Sequence, residues 1–120
     1  MPRKDAALLL DMLLAARKIQ RYSSGLTRKT LLEHEMASSA IIREFQVMGE
    51  AARIISDPFK GEHDNIPWKV IAGLRNRVIH EYFRVDLDLL WQTIADDLPP
   101  LIAQLEAIVS AFDEDDMETE

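Results

Sequence analysis

The chain has 120 residues, a length that suits one domain with a buried core, and its few glycines and prolines beside many Ala, Leu, Ile, Glu and Arg predict an all-α protein. The absence of cysteine excludes disulfides and thiolate metal sites and favours a cytoplasmic location. The net charge of −7 argues against a broad surface that coats nucleic acid, because such surfaces are basic.

The N-terminal apolar run, which follows Arg3 and Lys4, resembles the core of a signal peptide. Asp11 interrupts the run and no small-residue cleavage site follows it, so we expect no signal peptide. No apolar stretch approaches the ~20 residues that a membrane span needs. We therefore expect no association with a membrane.

Two long helices are predicted in the first half of the chain. The first spans about Arg3–Tyr22, where apolar residues recur at alternating spacings of four and three, and Ser23–Gly25 ends it. The second spans about Thr30–Ile55, and Thr30 with Glu33 is predicted to form its capping box. Both helices are apolar on more than one side, which predicts burial in the interior of a small bundle, in a dimer seam, or in both.

The central helix is predicted from Pro67 to Phe83, after a polar loop at residues 60–65. Its apolar stripe is formed by Val70, Ile71, Leu74 and Val78. Asn76 and His80 are four residues apart and share the side opposite this stripe. Arg75 and His80 are separated by about 140° of rotation, so one straight helix does not direct both at a single point. Either the helix ends near His80 or a second copy of the chain completes the site.

The last helix is predicted to begin at Asp86, a favourable N-cap residue. Its apolar residues keep one phase through Pro99-Pro100, which predicts a kink there and not a reversal of direction. We expect an up-and-down four-helix bundle with a kinked C-terminal helix, assembled as a homodimer. Residues 1–112 would form one helical domain, and residues 113–120 an acidic flexible tail.

The central stretch resembles the HEPN superfamily. Arg75-Asn76-x-x-x-His80-x-Tyr82 matches its R-x4-H-x-Y signature, and the flanks IPWKVIAGLRN, HEYFRVDLDLLW and DLPP are similar to the HepT-like (DUF86) branch. Residues 40–52, AIIREFQVMGEAA, resemble the second helix of that family. One departure from the family pattern is Glu44, at a position where the family tends to have Asn. Glu44 adds a carboxylate near the expected phosphate-binding cleft.

The resemblance implies the toxin of a two-gene toxin–antitoxin pair, a metal-independent RNA endonuclease that acts as a homodimer without a cofactor. The two signature motifs would face one another across a cleft. The implied partner is a small MNT-type nucleotidyltransferase antitoxin, which neutralises the toxin by attaching AMP groups to the motif tyrosine, Tyr82.

The residue types of the motif suit metal-free RNA cleavage. His80 is suited to acid–base catalysis because imidazole titrates near neutrality, and Arg75 is suited to stabilising charge on the phosphate. Asn76 would orient the imidazole or the substrate. Lys69, Arg77 and Arg84 are further candidates for RNA binding, whereas we assign no ligand role to His34 or His63 and expect no metal site.

Two other functions remain open. The chain could be a non-catalytic helical partner of a nucleotidyltransferase that binds nucleotide or RNA, or a dimerisation module whose polar cluster satisfies a buried interface. Taken alone, Arg75 is equally suited to a salt bridge with Glu50 or Glu81, and Tyr82 is suited to the core or an interface as an aromatic residue at the edge of the apolar stripe.

Overall fold

The computed structural model describes residues 3–78 and 85–112, apart from the side chain of Arg75. These residues are almost entirely helical, which confirms the all-α class. Outside the described residues lie His80, Tyr82, Arg84, the predicted end of the central helix and the predicted tail at 113–120. In the described part the α-helices are α1 (Arg3–Ser23), α2 (Arg28–Leu31), α3 (Glu35–Ile54), α4 (Asp57–Glu62), α5 (Trp68–Val78), α6 (Leu87–Gln92) and α7 (Leu98–Ser110).

The first predicted helix is confirmed to within one residue. Its last residue, Ser23, donates its hydroxyl to the carbonyl of Ile19 at 2.8 Å. Gly25 follows with a φ of 81°, a left-handed conformation that glycine adopts without the steric penalty of a Cβ atom. The turn predicted at this point therefore ends α1.

The second predicted helix is wrong at its N-terminal end, where the structure has two helices in place of one. The capping box is formed by Thr27 and Thr30, not by Thr30 and Glu33: the amide of Thr30 donates to the hydroxyl of Thr27, and the hydroxyl of Thr30 accepts from the amide of Thr27. The chain then breaks, and Nδ1 of His34 accepts from the amide of Ala37 to begin α3. Thr27 caps α2 and His34 caps α3, so two separate helices form where one was predicted.

The predicted loop at residues 60–65 is also wrong in its first half, because α4 extends through Glu62. Ser56 caps α4 by accepting from the amide of Phe59. The Asp5 carboxylate, which is 2% exposed, accepts from both the amide and the hydroxyl of Ser56, at 2.9 and 2.6 Å. The start of α1 is thereby tied to the junction between α3 and α4.

Helices α3 and α5 approach each other closely at Gly49. A Cβ atom on this residue would lie 3.1 Å from the carbonyl oxygen of Ile71 and 3.2 Å from that of Ala72. A side chain at residue 49 would therefore press directly on the backbone of α5. The glycine fixes the distance of α5 from the core.

The C-terminal helical segment is irregular one turn earlier than predicted. A π-helix, Thr93–Asp97, joins α6 to α7, and the amide of Leu98 donates to the carbonyl of Thr93, five residues back. Pro99 and Pro100 follow in the first turn of α7. Because a proline lacks an N–H and crowds the carbonyl four residues earlier, a wider turn before the pair accommodates both rings.

The apolar phase through the prolines and the cap of α6 are confirmed. The side chain of Asp86 accepts from the amide of Leu89 at 3.0 Å. All the in-phase residues lie in the core or pack against it: Leu87, Trp91, Ile94, Leu98, Leu101, Leu105, Ile108 and Phe112. The four-helix bundle and the homodimer stay predictions.

Candidate functional site

The described part of the motif lies on α5, whose two sides differ sharply. Ile71, Leu74 and Val78 are buried in the core. Asn76 and Arg77 are exposed on the other side of the helix. The predicted separation of an apolar stripe from a polar side is therefore confirmed for these residues. Val70, which the sequence assigned to the stripe, is 46% exposed and lies outside the core.

The motif residues Arg75, His80 and Tyr82 are only partly placed by the structure. The backbone of Arg75 belongs to α5, but its side chain is outside the description, as are His80 and Tyr82. The structure thus brings Lys69, Asn76 and Arg77 together on one exposed face. The convergence of Arg75 with His80 stays a prediction, as does the alternative that Arg75 pairs with Glu50 or Glu81.

The segment that carries His80 and Tyr82 begins and ends at one place in the fold. The amide of Asp86 donates to the carbonyl of Val78 at 2.6 Å. Val78 is fully buried, and Asp86 caps α6, so both ends of residues 79–85 are anchored. The chain thus leaves the described part of α5 at Val78 and returns to the same point at Asp86.

Positive charge on α5 is available for a ligand. Neither Lys69 nor Arg77 has an ion pair with any residue that the structure describes, and both are exposed. Among the described residues, four other arginines are paired with carboxylates: Arg17 with Glu106, Arg28 with Asp88, Arg43 with Glu44 and Arg53 with Glu50. Two cations without carboxylate partners on one helix face suit the binding of an anion.

Glu50, one of the two partners considered for Arg75, is held by another residue. The guanidinium of Arg53 donates to both carboxylate oxygens of Glu50, at 2.5 and 3.3 Å. Hydrogen bonding by Arg53 lowers the pKa of Glu50 below its ordinary value. Solvent screens this exposed pair, so it adds little to stability, but it occupies the carboxylate.

Glu44 is a buried carboxylate on α3. It is 5% exposed, and the guanidinium of Arg43 lies 3.5 Å from its carboxylate. Gly49 meets the backbone of α5, and Glu44, five residues earlier, is turned about 140° around α3 from that contact. This carboxylate therefore does not lie on the side of α3 that contacts α5 at Gly49.

The two histidines outside the motif, His34 and His63, each make contacts that stabilise the fold. His34 caps α3, as described above. The ring of His63 lies against Phe59, with ring centroids 4.5 Å apart, and its carbonyl accepts from the indole of Trp68 at 3.0 Å.

A basic groove lies beside α5, and its α4 wall is a feature that the sequence interpretation missed. It has a volume of about 510 Å³ and is lined by Arg53, Lys60 and Lys69 with one carboxylate, Asp57, and by Pro67, Trp68, Val70 and Ala72. The groove exists because α4 places Lys60 opposite the first turn of α5. The groove was not predicted because residues 60–65 were interpreted as a loop and α4 was missed. Ser56-Asp57-Pro58 is a helix-start signal that could have revealed α4.

Comparison with known proteins places the chain among relatives of nearly the same length. A family model described as "Ribonuclease HepT-like" matches residues 12–108. A protein of Methanocaldococcus jannaschii, provisionally named an RNase, is 33% identical over 109 residues, which are 90% of this chain and 100% of that protein. The "Probable ribonuclease HepT" of Thermococcus cleftensis is 32% identical over 108 residues, 90% of this chain and 98% of its own. No solved structure matches the chain.

None of the helices in the described ranges, 3–78 and 85–112, is both long enough and apolar enough to cross a membrane.

Proposed function

Because the chain belongs to the HepT-like family, we propose that it is an RNA endonuclease that cleaves without a metal ion. The relatives named as ribonucleases support the activity. The observation on the chain itself that carries the proposal is the exposed face of α5. There Asn76 and Arg77 precede His80, and the cations Lys69 and Arg77 have no carboxylate partner among the described residues.

The cleavage we propose is an internal transfer at phosphorus. A base removes the proton of the 2′-OH, the 2′-oxygen attacks the adjacent phosphate, and an acid protonates the leaving 5′-oxygen. His80 would serve as base or acid, and Arg75 would stabilise the charge that develops on the phosphate oxygens. The products are a 2′,3′-cyclic phosphate and a 5′-OH end.

A homodimer would supply both proton-transfer groups. One motif histidine per chain makes two per dimer, and a two-fold axis would let Arg75 and His80 converge although they diverge on one ideal helix. Exposed apolar side chains support association, since Leu14 and Ile54 are 44% and 37% exposed. These residues lie on α1 and α3, the two longest described helices.

Cleavage in vitro tests the nuclease function. We expect the purified protein to cut single-stranded RNA in excess EDTA and to leave 2′,3′-cyclic phosphate ends, detected by mass spectrometry. The matched control is the same sequence as DNA, which lacks the attacking 2′-OH and should stay intact. Equal cleavage of both strands, or a requirement for added Mg²⁺, would contradict the proposed chemistry.

We further propose that the chain is the toxin of a toxin–antitoxin pair and is neutralised by AMP transfer to Tyr82 from a nucleotidyltransferase. The support is the match of Tyr82 to the motif tyrosine of the family. Each AMP group adds bulk and a negative charge beside the motif, where the substrate phosphate has to bind. Modification would therefore block RNA by occupancy and repulsion.

Mass spectrometry tests this modification. Incubation with ATP and a nucleotidyltransferase encoded beside the chain is expected to add AMP masses to the wild type and none to Tyr82→Phe. Tyr22→Phe, which removes a half-buried tyrosine hydroxyl on α1, is the control and should be modified like the wild type. AMP addition to Tyr82→Phe would exclude Tyr82 as the acceptor.

The second function that we consider is a non-catalytic subunit that binds nucleotide or RNA for the nucleotidyltransferase. Lys69 and Arg77, which have no ion pair with any described residue, would serve such binding as well as they would serve cleavage. In that case the purified dimer would bind labelled ATP or RNA while RNA stayed intact in the EDTA assay.

A further inference from the structure

Gly73 lies in the middle of α5 at the centre of its exposed face. On a helix of about 100° per residue, Lys69 and Arg77 lie about 40° to either side of it, and Val70 and Asn76 lie further out. A Cβ atom on Gly73 would meet no described atom within 4 Å. Nothing that the structure describes therefore needs a glycine here.

Glycine in a helix interior has a cost in stability, because it loses more conformational freedom on folding than alanine does. At Gly49 the cost has a visible reason, since the backbone of α5 occupies the space where a side chain would be. Gly73 has no such neighbour in the described chain. Gly61 on α4 is open in the same way. What distinguishes Gly73 is that Lys69 and Arg77, both without ion pairs to described residues, lie to either side of it on one helix face, so a ligand that reaches both cations passes over Gly73.

The surroundings of Gly73 favour an anionic strand as that ligand. Lys69 and Arg77 are about 12 Å apart along the helix axis, which is the length of about three or four stacked nucleotides. Both cations are without ion pairs to described residues. The basic groove between α4 and α5 continues this face from Lys69, with Lys60 on its other wall. Arg53 and Asp57 also line the groove, but the charge of Arg53 is paired with Glu50.

The same charges argue against a second copy of the chain at this position. A two-fold interface places identical patches against each other. Lys69 and Arg77 would then face Lys69 and Arg77 of the other copy, which is unfavourable without intervening anions. An RNA strand supplies the opposite charge along its whole length.

We propose that the face formed by Lys69, Gly73 and Arg77, together with the basic groove, is a track for the sugar–phosphate backbone of RNA, and that the strand lies closest to the protein at Gly73. The inference rests on the proposed ribonuclease function and adds a binding path to it. The track leads to Asn76 and Arg77, which precede His80 by four and three residues. It delivers the strand to the motif without reading its bases.

The test compares two alanine substitutions at helical glycines that are both open in the described structure. Gly61 lies on α4, and a Cβ atom there also meets no described atom within 4 Å. Gly73→Ala and Gly61→Ala should each raise the melting temperature by about 3 to 5 °C, because alanine is the better helix former. Only Gly73→Ala is expected to weaken RNA binding, by about tenfold, since its methyl group displaces the strand.

Binding is measured with a fluorescein-labelled single-stranded RNA of mixed sequence, in a His80→Ala background that keeps the strand intact. Lys69→Ala and Arg77→Ala should each lower the slope of log K against log salt by about 0.7, as expected for one lost phosphate contact. Gly61→Ala should leave both the affinity and the slope unchanged. The mass of each variant in solution is recorded at the same concentration.

Equal RNA affinity of Gly73→Ala and Gly61→Ala would overturn the proposed track. If Gly73→Ala still cleaved RNA at the wild-type rate in that case, the nuclease function would stand. Loss of the dimer in Gly73→Ala alone would also overturn the track, in favour of a protein contact at this face. Binding that depends on Gly73, combined with no cleavage by the wild type, would support the track and contradict the nuclease. A wild type that binds no RNA would contradict both.

Discussion

Replacing His80 with alanine is expected to lower the rate of RNA cleavage by about a hundredfold to ten-thousandfold, because the reaction would lose its proton-transfer group. Arg75→Ala is expected to lower it by about a hundredfold to a thousandfold, because charge on the phosphate would lose its stabilisation. Arg75→Lys should recover only part of this loss, since an ammonium keeps the charge but not the planar fork. Cleavage rates are measured on one RNA under single-turnover conditions.

The controls remove the same side-chain types elsewhere. His34→Asn removes an imidazole but supplies another good N-cap residue for α3. Arg21→Ala removes an exposed guanidinium from α1, where it lies over the ring of Tyr22. Both controls should retain the wild-type rate. In induced cells, the wild type and both controls should arrest growth and fragment RNA, whereas His80→Ala and Arg75→Ala should do neither.

The dimerisation module predicts a different result for the same variants. If the polar cluster only satisfies a buried interface, His80→Ala should lower the melting temperature and the dimer fraction. The nuclease predicts folded dimers with nearly unchanged melting and lost activity. Wild type and His80→Ala that are equally inactive but unequally stable would therefore contradict the nuclease.

Asp5→Ala is expected to destabilise the fold by about 2 to 3 kcal/mol, because it breaks two charge-assisted hydrogen bonds to Ser56 in a site where the carboxylate is 2% exposed. The amide of Ser56 would lose its partner, and the link between α1 and α4 would be lost. This corresponds to a fall in melting temperature of about 8 to 12 °C, measured by circular dichroism at fixed protein concentration.

Asp11→Ala is the matched control for Asp5. It removes an exposed carboxylate from the same helix and should change the melting temperature little. Asp5→Asn should recover part of the loss, because its amide oxygen still accepts from Ser56. An Asp5→Ala protein as stable as Asp11→Ala would show that the buried carboxylate contributes nothing net.

The sequence predicts α1 and the phase of the C-terminal segment well because both are long and periodic. Their apolar residues repeat over many turns, so the burial of residues such as Met12 and Leu105 follows from spacing alone. The break between α2 and α3 follows from hydrogen bonds among Thr27, Thr30 and His34, which compete with continued helix. Periodicity contains no information about such local competition.

The site is predictable only where it depends on helix faces. The exposure of Asn76 and Arg77 follows from their positions relative to Leu74 and Val78. The basic groove does not, because it depends on how α4 folds back on α5, a tertiary arrangement with no local signal. The bond between Asp5 and Ser56 spans 51 residues and is likewise beyond any pattern within a window.

The hydrogen bond between Val78 and Asp86 has a consequence for how the family can vary in length. It brings together the two described ends of the segment that carries His80 and Tyr82 in the sequence. The entropy of closing a loop grows slowly, by about 0.6 kcal/mol for each doubling of its length. Insertions between Val78 and Asp86 are therefore expected to cost little stability while changing the spacing of His80 and Tyr82, the proposed site residues, from α5. An insertion at the turn around Ser24 would leave that spacing unchanged.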